Sequence, residues 1–210
     1  LFNLRRMLMN KSFIIKIILL CLVTIKVSAI EKVILFGDSL MAGYGLPNEQ
    51  HLSVVLQNSL EIEGYNIEIV NGSVSGSTSS GGLNIAEWTL SESNIDLMIL
   101  CLGANDMLRG INPKETKNNL EEIVKIAKKK NIKVIIAGMI APTSYGSGYK
   151  KSFDKIFYDL SKKYKLQLIP FLLEGVAQKP KFNLSDGMHP NDQGTIIIAN
   201  TLKKAILENL

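Results

Sequence analysis

From residue 30 onward, short and almost continuously apolar runs alternate with longer stretches in which apolar residues recur every three or four positions. The runs are Val33–Phe36, Tyr65–Val70, Ile95–Leu102, Ile132–Ala137 and Leu166–Phe171. Continuous apolarity, rather than strict alternation, marks strands covered on both faces, as in parallel sheets. The segments between them read as helices. The clearest begins at Asn112-Pro113-Lys114-Glu115, with a capping Asn, Pro at the first helical position and Glu placed to complete a capping box. Leu120, Ile123, Val124 and Ala127 then share one face, and Lys128–Lys130 suit the negative end of the helix dipole. A last helix runs from about Pro190 to Leu207, with Ile198, Leu202 and Ile206 on one stripe. Trp88 and the apolar helix positions are assigned to the core. No internal repeat, linker or low-complexity segment interrupts the pattern. The order βαβαβαβαβα predicts one α/β domain over residues 30–210: a doubly wound, flavodoxin-like sheet of five parallel strands with helices on both faces.

Residues 1–29 follow a different pattern. Arg5, Arg6 and Lys11 give a basic start, Phe13 to Val23 an apolar stretch, and Val27-Ser28-Ala29 a small-residue cleavage site, the three parts of a secretory signal. The reading is therefore export to the periplasm or secretion after cleavage. The alternative is an inner-membrane anchor through residues 13–29, but Lys16 and Lys26 confine the apolar run to less than the ~20 residues a span needs. A lipoprotein is disfavoured because Leu20 precedes Cys21 where a small residue is expected. The chain opens on Leu1, and Met7 and Met9 both stand as alternative starts. The leader also explains the charge. The whole chain is +5, but residues 1–29 hold five basic residues and no acidic one, leaving 19 of each sign in the remainder. A neutral body has no excess charge for phosphate backbones, which excludes a nucleic-acid partner.

Composition narrows the chemistry further. Two cysteines and two histidines supply neither a disulfide framework nor a zinc module, and H-E-x-x-H is absent. No metal or cofactor is expected, nor any obligate protein partner. Beyond the leader Cys101 is the only cysteine, read as buried in a strand and idle. In open parallel sheets ligands bind beyond the carboxyl ends of the strands. Four polar, Gly-rich segments follow strands here: Gly37-Asp38-Ser39-Leu40, Asn71–Thr78, Gly103-Ala104-Asn105-Asp106 and Ser185–Pro190. Together they bring a hydroxyl, backbone donors, an amide and an Asp/His pair to one edge, the parts that acyl transfer requires. Ser39 needs a base to take its proton, and the base needs a partner that fixes its tautomer. Asp186, three residues before His189, can hold one ring nitrogen and leave the other for Ser39. Candidate oxyanion donors are the N–H of Ser39, the N–H of Gly76 and the side-chain amide of Asn105.

These four blocks resemble those of the SGNH (GDSL) hydrolase superfamily. Gly103–Gly110, Tyr145-Gly146, Ile169-Pro170-Phe171 and Asp186–Asn191 are similar to its bacterial periplasmic thioesterase I/lysophospholipase/arylesterase subfamily, and the resemblance covers essentially all of residues 31–210. It implies Ser39 as nucleophile, Gly76 and Asn105 in the oxyanion hole, and Asp186 and His189 completing a triad. Ser77, where relatives often have Asp, and Ala104, where they often have Gly, depart from the pattern and bear on substrate preference. The implied activity is a cofactor-free serine esterase acting on a small-molecule ester or lipid. Met107, Leu108 and Ile111 on one loop, with Ile140 and Tyr145 on another, are assigned to an apolar groove. That groove favours aryl esters, acyl thioesters or lysophospholipids over a carbohydrate O-deacetylase activity.

Each block alone has a plainer reading. Gly37–Leu40 could be a helix start capped by Asp38 or Ser39, and Asp186-Gly187 a simple turn. The Ser73–Gly82 stretch lacks the lysine of a phosphate loop, and Ser39 lacks a G-x-S-x-G elbow. A non-catalytic binding protein on this fold would be expected to have lost Ser39, Asn105, Asp186 or His189, and all four are present. His51 is read as solvent-facing near a helix start, and Asp106 and Arg109 as residues that hold their loop.

Overall fold

The computed structural model describes residues 30–210, and the signal-sequence reading of residues 1–29 lies outside them. In chain order the elements are β1 (Lys32–Gly37), α1 (Ser39–Ala42), α2 (Leu52–Ile62), β2 (Glu68–Asn71), α3 (Ser79–Thr89) and β3 (Leu97–Cys101). There follow α4 (Ala104–Leu108), α5 (Pro113–Lys129), β4 (Lys133–Ala137), α6 (Ser147–Tyr164), β5 (Gln167–Ile169) and α7 (Asp192–Leu207). The strands form one sheet in the order β2-β1-β3-β4-β5, every neighbouring pair parallel. The chain thus winds first to one side of β1 and then back across it. Right-handed crossovers put α2 on one face and α3, α5 and α6 on the other. The contacts agree: α3 packs on α5 and α5 on α6, while α7 returns to pack on α2. The predicted doubly wound fold is the observed one.

The three central strands are the apolar ones. β3 is buried at all five positions, and Val33 to Phe36 of β1 and Val134 to Ala137 of β4 are buried too. β2, at the edge, is only half covered. Every strand but β1 starts later than its apolar run, and at β2 and β5 a hydrogen bond to the end of the preceding helix gives the reason. Tyr65 and Leu166 donate their backbone N–H groups to Leu60 and Ser161, closing the ends of α2 and α6, so neither residue is free to enter the ladder. α5 starts as predicted, with the Asn112 side chain accepting from the Lys114 N–H. Glu115 contributes its backbone N–H to Asn112 O, and no reciprocal side-chain bond from Glu115 is present among the described residues. α7 begins two residues later than expected, capped by Asn191, whose side chain accepts from Gly194 N–H.

Trp88 is a correction. It is 80% exposed rather than in the core. α3 faces the sheet through Ser79, Gly82 and Ala86, and two residues turn a helix by ~200°, so Trp88 lies roughly opposite Ala86. The small face is required: a Cβ at Gly82 would meet Leu102 at 2.3 Å. His51 is a second correction. It is half-buried at the start of α2, with its Nε2 3.1 Å from Leu46 O, and packs beneath Gly43. Cys101 is fully buried in β3, and burial pushes its thiol well above the ordinary range, which keeps it protonated and inert.

Candidate active site

The order of the strands reverses between β1 and β3, where a doubly wound sheet opens its crevice. β1 ends on Gly37, where a Cβ would meet both the Cys101 carbonyl and the Met41 side chain at 2.7 Å. Asp38 follows as the cap of α1, one carboxylate oxygen accepting from Leu40 N–H at 3.1 Å. Ser39 is then the first helical residue, just beyond the carboxyl end of β1. The plain reading of Gly37–Leu40 as a capped helix start is therefore correct, and it is also what presents the hydroxyl.

His189 arrives from the other side of the crevice on an irregular segment. Leu184 N–H donates to His189 O and Gly187 N–H to Leu184 O, with an isolated bridge pairing Asn183 and Pro190. Inside this turn one oxygen of Asp186 accepts from the backbone N–H groups of Met188 (2.8 Å) and His189 (2.9 Å). Its other oxygen lies 2.7 Å from His189 Nδ1, and His189 Nε2 lies 2.9 Å from Ser39 Oγ. The His189 N–H, then that of Met188, then the imidazole hold the Asp186 carboxyl at about 2. It is ionised at any working pH, which favours the tautomer with hydrogen on Nδ1 and a lone pair on Nε2 facing Ser39.

Across the crevice, α4 ties the second Gly-rich segment in place. Arg109 donates to Gly76 O at 3.0 Å, and Asn105 Nδ2 donates to Ser77 O at 3.1 Å. Asp106 is fully buried and accepts from Ser79 N–H (2.7 Å), Ser79 Oγ and Thr116 Oγ1 (3.1 Å). Asp106 and Arg109 thus hold loops, as read from the sequence. Gly76 has φ +78°, a conformation that favours glycine, and nothing lies within 4 Å of where its Cβ would be. Among the described residues the Ser39 and Gly76 N–H groups donate to no protein acceptor. The Asn105 amide is engaged: besides Ser77 O it donates to the second oxygen of Asp38 at 3.3 Å. Asp38 is 1% exposed, and burial raises its carboxyl to about 6 against the pull of the Leu40 and Asn105 donors.

Ser39, Gly76, Asn105 and His189 all line one cavity of about 500 Å³. Of the predicted groove residues, Met107, Leu108 and Ile140 line it, whereas Ile111 and Tyr145 do not. Ile111 turns into the start of α5, its N–H bound to Asp106 O and its carbonyl accepting from Tyr149 Oη. Tyr145 packs against Tyr149 instead, with ring centroids 5.5 Å apart and planes inclined by 30°. The reading also missed Tyr44, Met139, Phe171 and Met188. Met139 and Phe171 follow β4 and β5, so the strand-end rule that located the four blocks pointed to them as well.

A doubly wound sheet with a serine, an imidazole and a carboxylate in hydrogen-bonded sequence at its switch point defines a class of hydrolase. The chain belongs to the GDSL-like lipase/acylhydrolase family, whose pattern matches residues 35–195, and it is a hydrolase of ester bonds. It is 35% identical over 182 residues to the arylesterase of Vibrio mimicus, covering 87% of this chain and 91% of that protein. It is 31% identical to thioesterase 1/protease 1/lysophospholipase L1 of Escherichia coli K12, covering 89% and 88%. The crystal structure of the psychrotrophic esterase EstA from a Pseudoalteromonas species, inhibited by monoethylphosphonate, superposes with a TM-score of 0.81 at 30% identity, over 85% of this chain and 97% of that one.

Proposed function

We propose that the protein cleaves carboxylic esters through an acyl-enzyme formed on Ser39. The observation that carries this reading is the continuous relay from Ser39 Oγ through both nitrogens of His189 to Asp186, at 2.9 and 2.7 Å. His189 Nε2 takes the Ser39 proton as Oγ attacks the carbonyl carbon, and then gives it to the leaving alcohol or thiol. Asp186 stabilises the imidazolium. Water, deprotonated by His189, releases the acid and restores Ser39. The developing oxyanion is received by the free N–H groups of Ser39 and Gly76 and by Asn105. For Asn105 to serve, its longer bond, the 3.3 Å contact with Asp38, is the one that yields to the oxyanion.

The cavity and the relatives support a substrate class. Leu40, Met107, Met139, Ile140 and Phe171 surround Ser39 with apolar surface, which suits an aryl or acyl group better than a sugar acetate. Aryl esters, acyl thioesters and lysophospholipids are the candidates, in line with the names of the arylesterase and thioesterase relatives. The enzyme works in the periplasm or outside the cell, a reading supported by the leader. Among the described residues no helix is long and apolar enough to cross a membrane. An intact mass beginning at Ile30 is expected for periplasmic material, and retention of residues 13–29 would favour the anchor. The mechanism is tested with a fluorophosphonate probe and a series of p-nitrophenyl esters of increasing acyl length. Ser39→Ala is expected to abolish labelling and to lower hydrolysis by ~10³-fold or more. Labelling that persists on another serine would remove Ser39 from the mechanism.

A further inference from the structure

We infer that Tyr44 is a positioning residue for His189: its ring holds one face of the imidazole and favours the charged form that arises when His189 takes the serine proton. The inference rests on the triad reading above. His189 sits on an irregular segment, and its two hydrogen bonds, to Asp186 and Ser39, lie at the edges of the ring. Edge contacts fix the nitrogens and leave the faces unsupported. Tyr44 supplies a face contact, with ring centroids 4.4 Å apart and the planes inclined by 38°.

The turn that presents Ser39 also presents Tyr44. α1 is four residues long and is ended by Gly43 at φ +84°, with Tyr44 N–H returning to Ser39 O at 3.4 Å. A side chain at Gly43 would strike the His51 ring at 2.4 Å, and His51 is itself held against Leu46 O. Nucleophile and aromatic ring therefore approach the base as one rigid unit. Tyr44 is 52% exposed, so burial in the core does not account for its position. The face of a tyrosine ring carries partial negative charge and attracts a cation more than a neutral ring. His189 becomes a cation only as Ser39 attacks, so the contact strengthens toward the transition state and acts on kcat. The other groups facing His189 are Ser39, the Asp186 carboxylate and, by through-space attraction, the Asp38 carboxylate. All three are untouched by a change at position 44.

The test compares Tyr44→Leu, which keeps apolar bulk but removes the ring face, with Tyr44→Phe, which keeps the face. Tyr44→Leu is expected to lower kcat about three- to tenfold with KM changed less than about threefold, and to move the acid limb of the pH profile about half a unit lower. Tyr44→Phe is expected to restore both to within about twofold. The same shift is read without turnover by NMR, because the chain has only two histidines. The His189 ring should titrate about half a unit lower in Tyr44→Leu, with His51 unmoved. An unmoved His189 titration, a loss confined to KM, or a Tyr44→Phe variant as impaired as Tyr44→Leu would each overturn the inference. A wild type lacking Ser39-dependent hydrolysis would instead end the esterase reading, and the NMR titration would still decide the Tyr44 contact.

Discussion

The two halves of the proposed catalytic centre are built on different principles. The nucleophile half is an outgrowth of the core. Ser39 follows the buried strand β1, its neighbour Asp38 is 1% exposed, and Asn105 follows the fully buried β3. Their positions are set by the packing of the sheet. The base half belongs to no strand or helix. Asp186, with a side chain 39% exposed, and His189 are paired by hydrogen bonds within residues 183–190. That segment is anchored through Asn183 to Val176 and Lys179, and it meets the nucleophile half through the His189–Ser39 bond and the Tyr44 ring. Core packing can position a hydroxyl because little beyond direction is asked of it. A base must also be held in one tautomer, and that takes a charged group at hydrogen-bond distance. Substitutions in the first half should therefore disturb stability along with chemistry, and those in the second should disturb chemistry almost alone.

The largest expected effect lies in the base half. His189→Ala should lower kcat by ~10³-fold or more, with a melting temperature within a degree or two of wild type. His51→Ala should show the reverse balance, a lower melting temperature from the lost packing under Gly43 and a loss of activity below tenfold. A more damaged His51→Ala enzyme would overturn the Asp186/His189 pairing. Asp186→Asn keeps an oxygen for the two backbone donors but sets an amide N–H₂ against Nδ1, which forces the other tautomer. A loss of ~10³–10⁴ in kcat is expected. In the folded protein the Asp186 carboxyl is lowered from 3.8 to about 2. Its stabilising contribution is thus complete above about 4 and lost as pH falls through about 2. Above about 4 the Asp186 carboxyl therefore contributes no titration of its own to the pH dependence of activity, and Asp186→Asn should lower activity there without removing any limb of the profile.

Asn105 stands on the boundary between the halves and comes next in size. Asn105→Ala should lower kcat by ~10²–10³ with little change in KM, because an oxyanion donor acts mainly in the transition state. Asp106→Ala is the structural control. It leaves the buried Ser79 and Thr116 hydroxyls and the Ser79 N–H without their shared acceptor, so its main effect should be on melting temperature. Wild-type kcat in Asn105→Ala would leave only Ser39 and Gly76 as donors.

The same division explains what could be read in the sequence. The five strands were legible because parallel strands covered on both faces are apolar throughout, and the four segments that meet at the cavity because three of them directly follow strands and the fourth carries a local Asp/His pair. Asp186 and His189 were legible because their pairing is local. Trp88 was misread because residue type outweighed position: the face α3 turns to the sheet is made of Ser79, Gly82 and Ala86, which carry no hydrophobic signal. Ile111 and Tyr145 were misassigned, and Tyr44 missed, because a cavity wall gathers side chains from separate segments whose directions depend on local turns. The occupied state of the Asn105 amide was equally hidden, since its partners Asp38 and Ser77 are 67 and 28 residues away.

The smallest expected effect, and the one that bears most directly on the nucleophile half, concerns the charge of Asp38. Burial raises its carboxyl from 3.8 to about 6, so the ionised form is disfavoured by folding. The sign follows from linkage. Below about 4 the group is protonated in both the folded and the unfolded chain and contributes nothing. Between about 4 and 6 the unfolded chain releases the proton while the folded one retains it, and stability falls. Above about 6 the full cost is present, roughly 1–3 kcal/mol. Asp38→Asn is neutral throughout and keeps an oxygen for the Leu40 N–H, so the cap on α1 survives. It also turns an N–H₂ toward Asn105, which offsets part of the gain. The melting temperature at pH 8 should therefore differ from wild type by only a few degrees. The slope is the diagnostic: a plot of the difference in melting temperature between variant and wild type should rise from pH 4 to 6 and be flat above. A difference that is constant with pH would mean that Asp38 is ionised in the fold as easily as in the unfolded chain, and that the nucleophile half carries no buried charge penalty at all.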